Sequence, residues 1–473
     1  MEPITNVISH PVATMQNLVV NVADKILGRV PVSTDPKPLR SDTVMMNAVT
    51  WHGKGDVHYE KLGKPLLSAE DDIILRVTAA SICGTDLHPY NGDLPGFKRS
   101  DTLGHEFMGL IEEVGPAVQN LRVGDRVVVS AAIICGKCRY CLAEQYDCCD
   151  TTNSSKLMEQ AYGHRKGGLF GCGHMLGDYP GGLADYVRVP HADFNCLLLP
   201  PDVPDDKALY LSDVLCTSLH ACRDVKPGDI VGIWGLGTVG LFAARWCQII
   251  GAKRIIGISG TDYRLNLAYE KLGIEVINYH EKDPVRTLNE MVPDGIDVAI
   301  DATGFRFAKS IAHKLQRALV METDTPETII ECMRALRKYG KLTLIASYAG
   351  WANFFPIGFM FLKQITMTSG VVPVQKLWKY CLEKLRDGSF DPRFILSHYM
   401  KLSDAPAVYH MMNNHEDRMI KSFLRPDAIF FGPDNYEKGC AILSLAGRPT
   451  GNDLGNNSGS YERTTYTHER ISS

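Results

Sequence analysis

Between Asp229 and Tyr348 the chain repeats one arrangement, a short apolar run followed by a stretch with helical periodicity. The runs are DIVGIW (229–234), KRIIGIS (253–259), DVAIDATG (297–304) and KLTLIASY (341–348). Strands spaced by helices require right-handed crossovers and give a parallel sheet with helices on its faces. The first run opens into Gly235-x-Gly237-x-x-Gly240, with Thr238 and Val239 inside the pattern, and then into a helix. In that setting the first glycine makes a tight turn and the second lets backbone approach a pyrophosphate. The third lets the helix pack on its strand, and the helix N-terminus attracts the phosphate charge. The segment therefore predicts a doubly wound, dinucleotide-binding sheet.

An acid that holds the ribose hydroxyls is expected about 20 residues on, at the end of the second strand. Ser259 stands there instead. A carboxylate would favour NAD and repel the 2′-phosphate of NADP. Its absence removes that repulsion, and Arg264 supplies a nearby cation. Asp262, three residues further along, is the alternative ribose contact. NAD and NADP both stay open, with a slight tilt to NADP.

At 473 residues the chain is too long for one core, and two domains are expected. From about 46 to 200, short strands such as DDIILRVTAA and GDRVVVSAAI are broken by Gly and Pro, the texture of an antiparallel β domain. Ahead of it lies a Pro- and Ser-rich extension with a helix-like stretch around Asn17–Val30. The pattern turns mixed again after about 375 and closes at IKSFLRP (420–426). Residues 427–473 are polar and predicted to be disordered. A net charge of −4 gives no basic footprint for nucleic acid, and no apolar run suffices for a membrane span. The N-terminus makes a poor secretory signal, so a cytoplasmic, reducing compartment is expected. There, clustered cysteines bind metal or do chemistry more often than they form disulfides.

Five of the fourteen cysteines fall in CGKCRYCLAEQYDCC (135–149). Two further segments carry ligand-type side chains: SICGTDLHPYNG (81–92), with Cys83, Thr85, Asp86 and His88, and TLGHEFMGLIEEVG (102–115), with His105 and Glu106. A Cys and a His, each beside a carboxylate, suit zinc and the acids that orient its ligands.

With the motifs CGTDLH, GHE, the C-x2-C-x2-C-x7-C run, GLGTVG and IKSFLRP, residues 46–426 resemble the zinc-containing medium-chain dehydrogenase/reductase, or alcohol dehydrogenase, family. Two stretches, YLSDVLCTSLHAC (210–222) and HKLQRALVMETDTPETI (313–329), look most like its formaldehyde-dehydrogenase-like branch. The resemblance implies a GroES-like antiparallel β catalytic domain (46–217, completed by 375–426) and a Rossmann domain (218–374). It implies two zinc ions per chain. Cys135, Cys138, Cys141 and Cys149 hold a structural one and leave Cys148 spare. The catalytic zinc takes Cys83, His105 and, in this branch, Asp213, with Cys216 as the rival third ligand. Glu106 is then a nearby carboxylate that approaches the metal transiently, and Asp86 a partner of the ligands.

By the same resemblance Thr85 contacts the bound alcohol and His88 relays its proton. Thr217 packs near the nicotinamide, and Lys421 lies near the cofactor phosphates, where Gly84 replaces an arginine of some relatives. Segment 313–329 resembles an insertion over the adenine end of a tightly held cofactor. The implied activity is hydride transfer between NAD(P) and a small primary alcohol or aldehyde, formaldehyde included, by a homodimer or homotetramer. The alternatives are a polyol or specialised-metabolite dehydrogenase with the same machinery, and a non-catalytic binding or structural relative.

Overall fold

A computed structural model describes residues 2–303, 324–348 and 350–429, with side chains from Met15 onward. Residues 313–323 of the insertion-like segment and 430–473 of the polar tail lie outside the described residues.

The α/β-plus-β class expected from the sequence is the one observed. Six parallel strands form the nucleotide-type sheet, counted here in chain order: Ile230–Trp234, Arg254–Ser259, Glu275–Asn278, Ile296–Asp301, Leu336–Leu344 and Thr366–Ser369. In space they run third, second, first, fourth, fifth, sixth. The order reverses between the first and fourth strands, and such a switch point opens a crevice at the strands' C-terminal ends. Gly235 and Ala302 follow those two strands and meet there, the Ala302 amide donating to the Trp234 carbonyl at 2.8 Å. The strands Glu275–Asn278 and Thr366–Ser369 are polar edge strands, which the search for apolar runs passed over.

The antiparallel part centres on Ile73–Ser81, paired with Glu106–Val114, Tyr186–Val189 and, through Leu424 opposite Ala80, Lys421–Arg425. That last strand also pairs in parallel with Leu396–Lys401. The chain therefore returns after the parallel sheet to complete the first one. One continuous core spans both sheets: Met108 and Val128 cluster with Leu215, Phe242 and Trp246, and with Trp378 of the helix Val374–Arg386. Each fully buried large side chain of this kind contributes about 1.5–3 kcal/mol.

The N-terminal helix, α1 (Glu2–Leu27), is far longer than the helix-like stretch read at Asn17–Val30 and starts fifteen residues earlier. It ends where Gly28 takes φ +74, a conformation open to glycine at the end of a helix.

Candidate metal centres and nucleotide loop

The register of Ile73–Ser81 against Glu106–Val114 sets Ser81 opposite Glu106, so Cys83 and His105 leave neighbouring strands side by side. Asp86 ties them together. Its Oδ2 accepts the Cys83 amide at 2.8 Å and its Oδ1 meets His105 Nδ1 at 3.1 Å. With Nδ1 committed to the carboxylate, Nε2 carries the free lone pair.

Asp213 reaches the same place from the other side of the domain. It sits between the turn Leu209–Ser212 and the helix Val214–Ala221, with φ −154. The Thr217 hydroxyl, one helical turn on, donates to Asp213 Oδ1 at 2.6 Å. Asp213 Oδ2 lies 3.5 Å from His105 Nε2. The Cys83 sulfur, one His105 nitrogen and one oxygen each of Glu106 and Asp213 all fall within 4.8 Å of one another.

His105 Nε2 and Glu106 Oε1 are buried without a hydrogen-bond partner. A buried polar atom left unpaired costs about 1–3 kcal/mol, which a bound cation would offset. Sulfur, imidazole nitrogen and carboxylate oxygen are a donor set for zinc. Burial would raise the Asp213 carboxyl, but the adjacent His105, and after it the Thr217 hydroxyl and the Lys421 charge, hold it below the usual range.

Cys216 points elsewhere. It is wholly buried, 3.8 Å from the Leu211 carbonyl and 3.8 Å from the sulfur of Cys381. The helix Val214–Ala221 turns Cys216 to the sulfur of Cys381 in the core, while its Thr217 hydroxyl reaches back to Asp213.

Lys421 is fully buried, so it is no surface lysine. Its Nζ donates to Glu106 Oε2 and, at 3.3 Å, to the Ile82 carbonyl. Burial disfavours its proton, yet the Glu106 carboxylate keeps its affinity above the ordinary lysine value. The strand bearing it also abuts the nucleotide loop, where Thr238 Oγ1 donates to the Ile420 carbonyl at 3.3 Å. Fully buried and held by Glu106 and the Ile82 carbonyl, Lys421 is not open to cofactor phosphates, contrary to what the resemblance implied. Thr85 is half-buried on the turn after Cys83, and His88 half-buried one turn on, while Gly84 is exposed.

The three glycines of the loop differ in their surroundings. Gly235 has φ +90, and a Cβ there would sit 2.6 Å from the Ala302 carbonyl oxygen. A Cβ on Gly240 would lie 1.9 Å from the Gly235 carbonyl oxygen. On Gly237, the residue before the helix Thr238–Ile250, it would meet no protein atom, and no side chain caps that helix. Gly237 thus borders open space at a positive helix end, a cradle that fits a pyrophosphate. Val239 in the first turn packs against the core.

Ser259 is buried at the end of its strand, its Oγ accepting the Thr261 amide at 3.3 Å. Asp262 accepts from Asn278 Nδ2 at 3.0 Å. Arg264 sets one terminal nitrogen 3.2 Å from His415 Nδ1 but keeps its Nε buried and unpaired.

Cys135, Cys138, Cys141 and Cys149 place their sulfurs within 4.8 Å of one another, with pairs at 3.5, 3.9 and 3.9 Å. Tetrahedral zinc with Zn–S near 2.3 Å requires sulfurs ~3.8 Å apart. Amides of Lys137 and Cys138 donate to Cys135 Sγ at 3.4 and 3.3 Å, as a thiolate requires. Cys148 is exposed, 3.5 Å from its neighbour Asp147. The four-sulfur site is closed and fits a structural ion with no open position.

Sequence reasoning missed three features. Thr217 braces Asp213, a role no motif carries. Cys172 is fully buried, and its thiol is pushed up to about 12 by burial first, with Asp86, Asp213 and Cys83 adding to it. Asp101, His174 and Asp178 form a third cluster. In that cluster His174 Nε2 lies 2.9 Å from Asp178 and 3.3 Å from Asp101, while Nδ1 lies 3.1 Å from both Arg29 and Lys98. His174 thus sets Nε2 beside two carboxylates and Nδ1 beside two cations, and the cluster ties Arg29 and Lys98 to the body of the protein.

An alcohol dehydrogenase GroES-like domain matches residues 69–201, and a zinc-binding dehydrogenase domain matches 238–319. A zinc-type alcohol dehydrogenase-like protein of Schizosaccharomyces pombe is 44% identical over 416 residues, covering 86% of this chain and 98% of the relative. Glutathione-independent formaldehyde dehydrogenase of Pseudomonas aeruginosa is 31% identical over 319 residues, 63% of this chain and 74% of that protein. The structure is similar to alcohol dehydrogenase TADH from Thermus sp. ATN1, with TM-score 0.69 and 30% identity over 80% of this chain and all of that one. The chain belongs to the zinc-containing alcohol dehydrogenase family of medium-chain dehydrogenases/reductases, oxidoreductases that act on CH–OH donors with zinc and NAD or NADP.

Proposed function

We propose that the chain oxidises a small primary alcohol, or acts on formaldehyde or its hydrate, with Cys83, His105 and Asp213 as the ligands of a catalytic zinc. The observation that carries this reading is Asp213 itself, a carboxylate held by Thr217 opposite an unpartnered His105 Nε2. The relation to a protein named formaldehyde dehydrogenase supports the substrate class. A dehydrogenase for a polyol or specialised metabolite with the same machinery is the other reading.

Zinc held by Cys83, His105 and Asp213 would supply a Lewis acid, and a nicotinamide in the cleft would supply the hydride acceptor. The chain's own residues do the rest. The Thr85 hydroxyl accepts the proton of the substrate hydroxyl as it gives up its own, and the His88 ring passes that proton towards solvent. Asp86 orients His105, and Lys421 holds Glu106 beside the ligands. Gly235, Gly237 and Gly240 with Thr238 and Val239 cradle the pyrophosphate. Thr217 lies towards the nicotinamide, and Ser259 with Arg264 favours NADP. Residues 46–217 and 375–426 act as the catalytic domain and 218–374 as the cofactor domain.

Among the described residues no helix is long and apolar enough to cross a membrane, and no cysteine is in a disulfide. Trp351, Phe354, Ile357, Phe361 and Leu362, each between 73% and 81% exposed, flank the edge of the parallel sheet and support a homo-oligomer through that domain.

The test follows absorbance at 340 nm with small alcohols and formaldehyde, NAD and NADP supplied separately. Reduction of NADP in preference to NAD is expected, and Ser259→Asp should shift kcat/KM towards NAD by about tenfold or more. Turnover of polyols alone would favour the second reading, and an NAD preference untouched by Ser259→Asp would dismiss the role given to Ser259.

A further inference from the structure

α1 is mounted with its polar side inward. Asn17 and Asn21 both donate to the Phe97 carbonyl, at 3.0 and 3.1 Å. Asn17 Oδ1 accepts the amides of Gly96 and Phe97 at 2.7 and 3.1 Å, and Asp24 is buried. The opposite side presents Met15, Leu18, Val19, Val22 and Ile26, each between 48% and 78% exposed. Surface helices bury their apolar stripe and solvate the polar one. This helix does the reverse, so the stripe awaits an occupant.

The spacing of the stripe indicates which. Met15, Val19, Val22 and Ile26 alternate steps of four and three. A 3-4 repeat is the seam of two helices packed side by side. A lipid surface would draw on a basic rim. Residues 2–27 carry only Glu2, Asp24 and Lys25 as charged groups, so the helix has no basic rim of its own. The five exposed side chains offer roughly 600 Å² per copy and, for a pair, about the 1,200 Å² of a small specific interface.

We propose that α1 pairs with α1 of a second copy through Met15, Val19, Val22 and Ile26, forming an interface separate from the edge of the parallel sheet. The interface fixes each catalytic domain through the loop at Gly96–Phe97 that α1 grips.

The full-length protein and a Val19→Glu/Ile26→Glu variant would be compared by light scattering and sedimentation. The variant should show half the parent's mass with the same molar activity. A matching Val19→Lys/Ile26→Lys variant should also be halved, and mixing the two should restore the parent mass, which an unfolded variant would not do. Unchanged mass in both variants overturns the proposal. So does co-sedimentation of the parent with phosphatidylcholine–phosphatidylserine vesicles that the glutamate substitutions abolish while its mass stays the same.

Discussion

Single side chains decide which ligands the catalytic centre offers. Asp213 and Cys216 stand three residues apart, and both are chemically competent for zinc. Only Asp213 joins Cys83 and His105, because Thr217 Oγ1 holds it while Cys216 is turned to Cys381. Asp213→Ala should therefore lower bound zinc from two per chain to about one and reduce kcat/KM by ~100-fold or more, whereas Cys216→Ala keeps both ions. Metal analysis by mass spectrometry with parallel kinetics checks this. Equal zinc loss in the two variants would contradict the assignment. The ligand types and their segments were legible in the sequence, but the choice between the two rivals rested there on resemblance. The brace from Thr217 could not be read, because a hydrogen bond four residues back leaves no pattern.

At the scale of elements, the loop from Cys135 to Cys149 and the helix Val214–Ala221 lend themselves to direct tests. Cys138→Ser should release one zinc and lower the melting temperature by roughly 10 °C, while Cys148→Ser, at an exposed position, should leave both unchanged. On the helix, His220 is pushed down to about 4, by burial first and then by the charges of Arg223 and Lys166. The native state thus disfavours its proton. The sign follows: this contribution to stability is full above the unfolded pKa near 6.5 and is lost as pH falls towards 4. Denaturant melts from pH 7 to 4 should show a smaller loss in His220→Gln than in the parent, and parallel curves would refute the assignment. The zinc loop and the glycine loop were both legible as elements because each needs a fixed local spacing. The length of α1 was not, since its sequence pattern is weak near the N-terminus and the helix reads as a continuous element only once its docking through Asn17 and Asn21 is seen.

For the whole molecule the relevant surfaces are apolar and lie far apart in sequence. Phe361 and Leu362, on the helix Ile357–Lys363 beside the edge strand Thr366–Ser369, are among the most exposed large side chains described. Phe361→Glu/Leu362→Glu should halve the mass measured by light scattering, independently of the α1 variants. A parent mass retained in this variant would remove the sheet edge from the assembly. Combined with the α1 substitutions, the two changes should act separately on subunit number, since distinct interfaces with no shared side chains are energetically independent.

The sequence by itself determined the fold class and a glycine loop suited to a dinucleotide, through strand and helix periodicity and glycines where a Cβ would strike backbone. The two ligand sets were implied there by resemblance to a family. The tertiary structure alone decided that Lys421 is buried against Glu106 rather than solvated, that Asp213 rather than Cys216 faces His105, and that α1 turns its apolar side outward. Those three depend on residues up to 315 positions apart meeting in space, and an ion pair such as Glu106–Lys421 leaves no periodic trace in either segment. Only the packing of Lys421–Arg425 beside Ile73–Ser81 brings its two halves within reach.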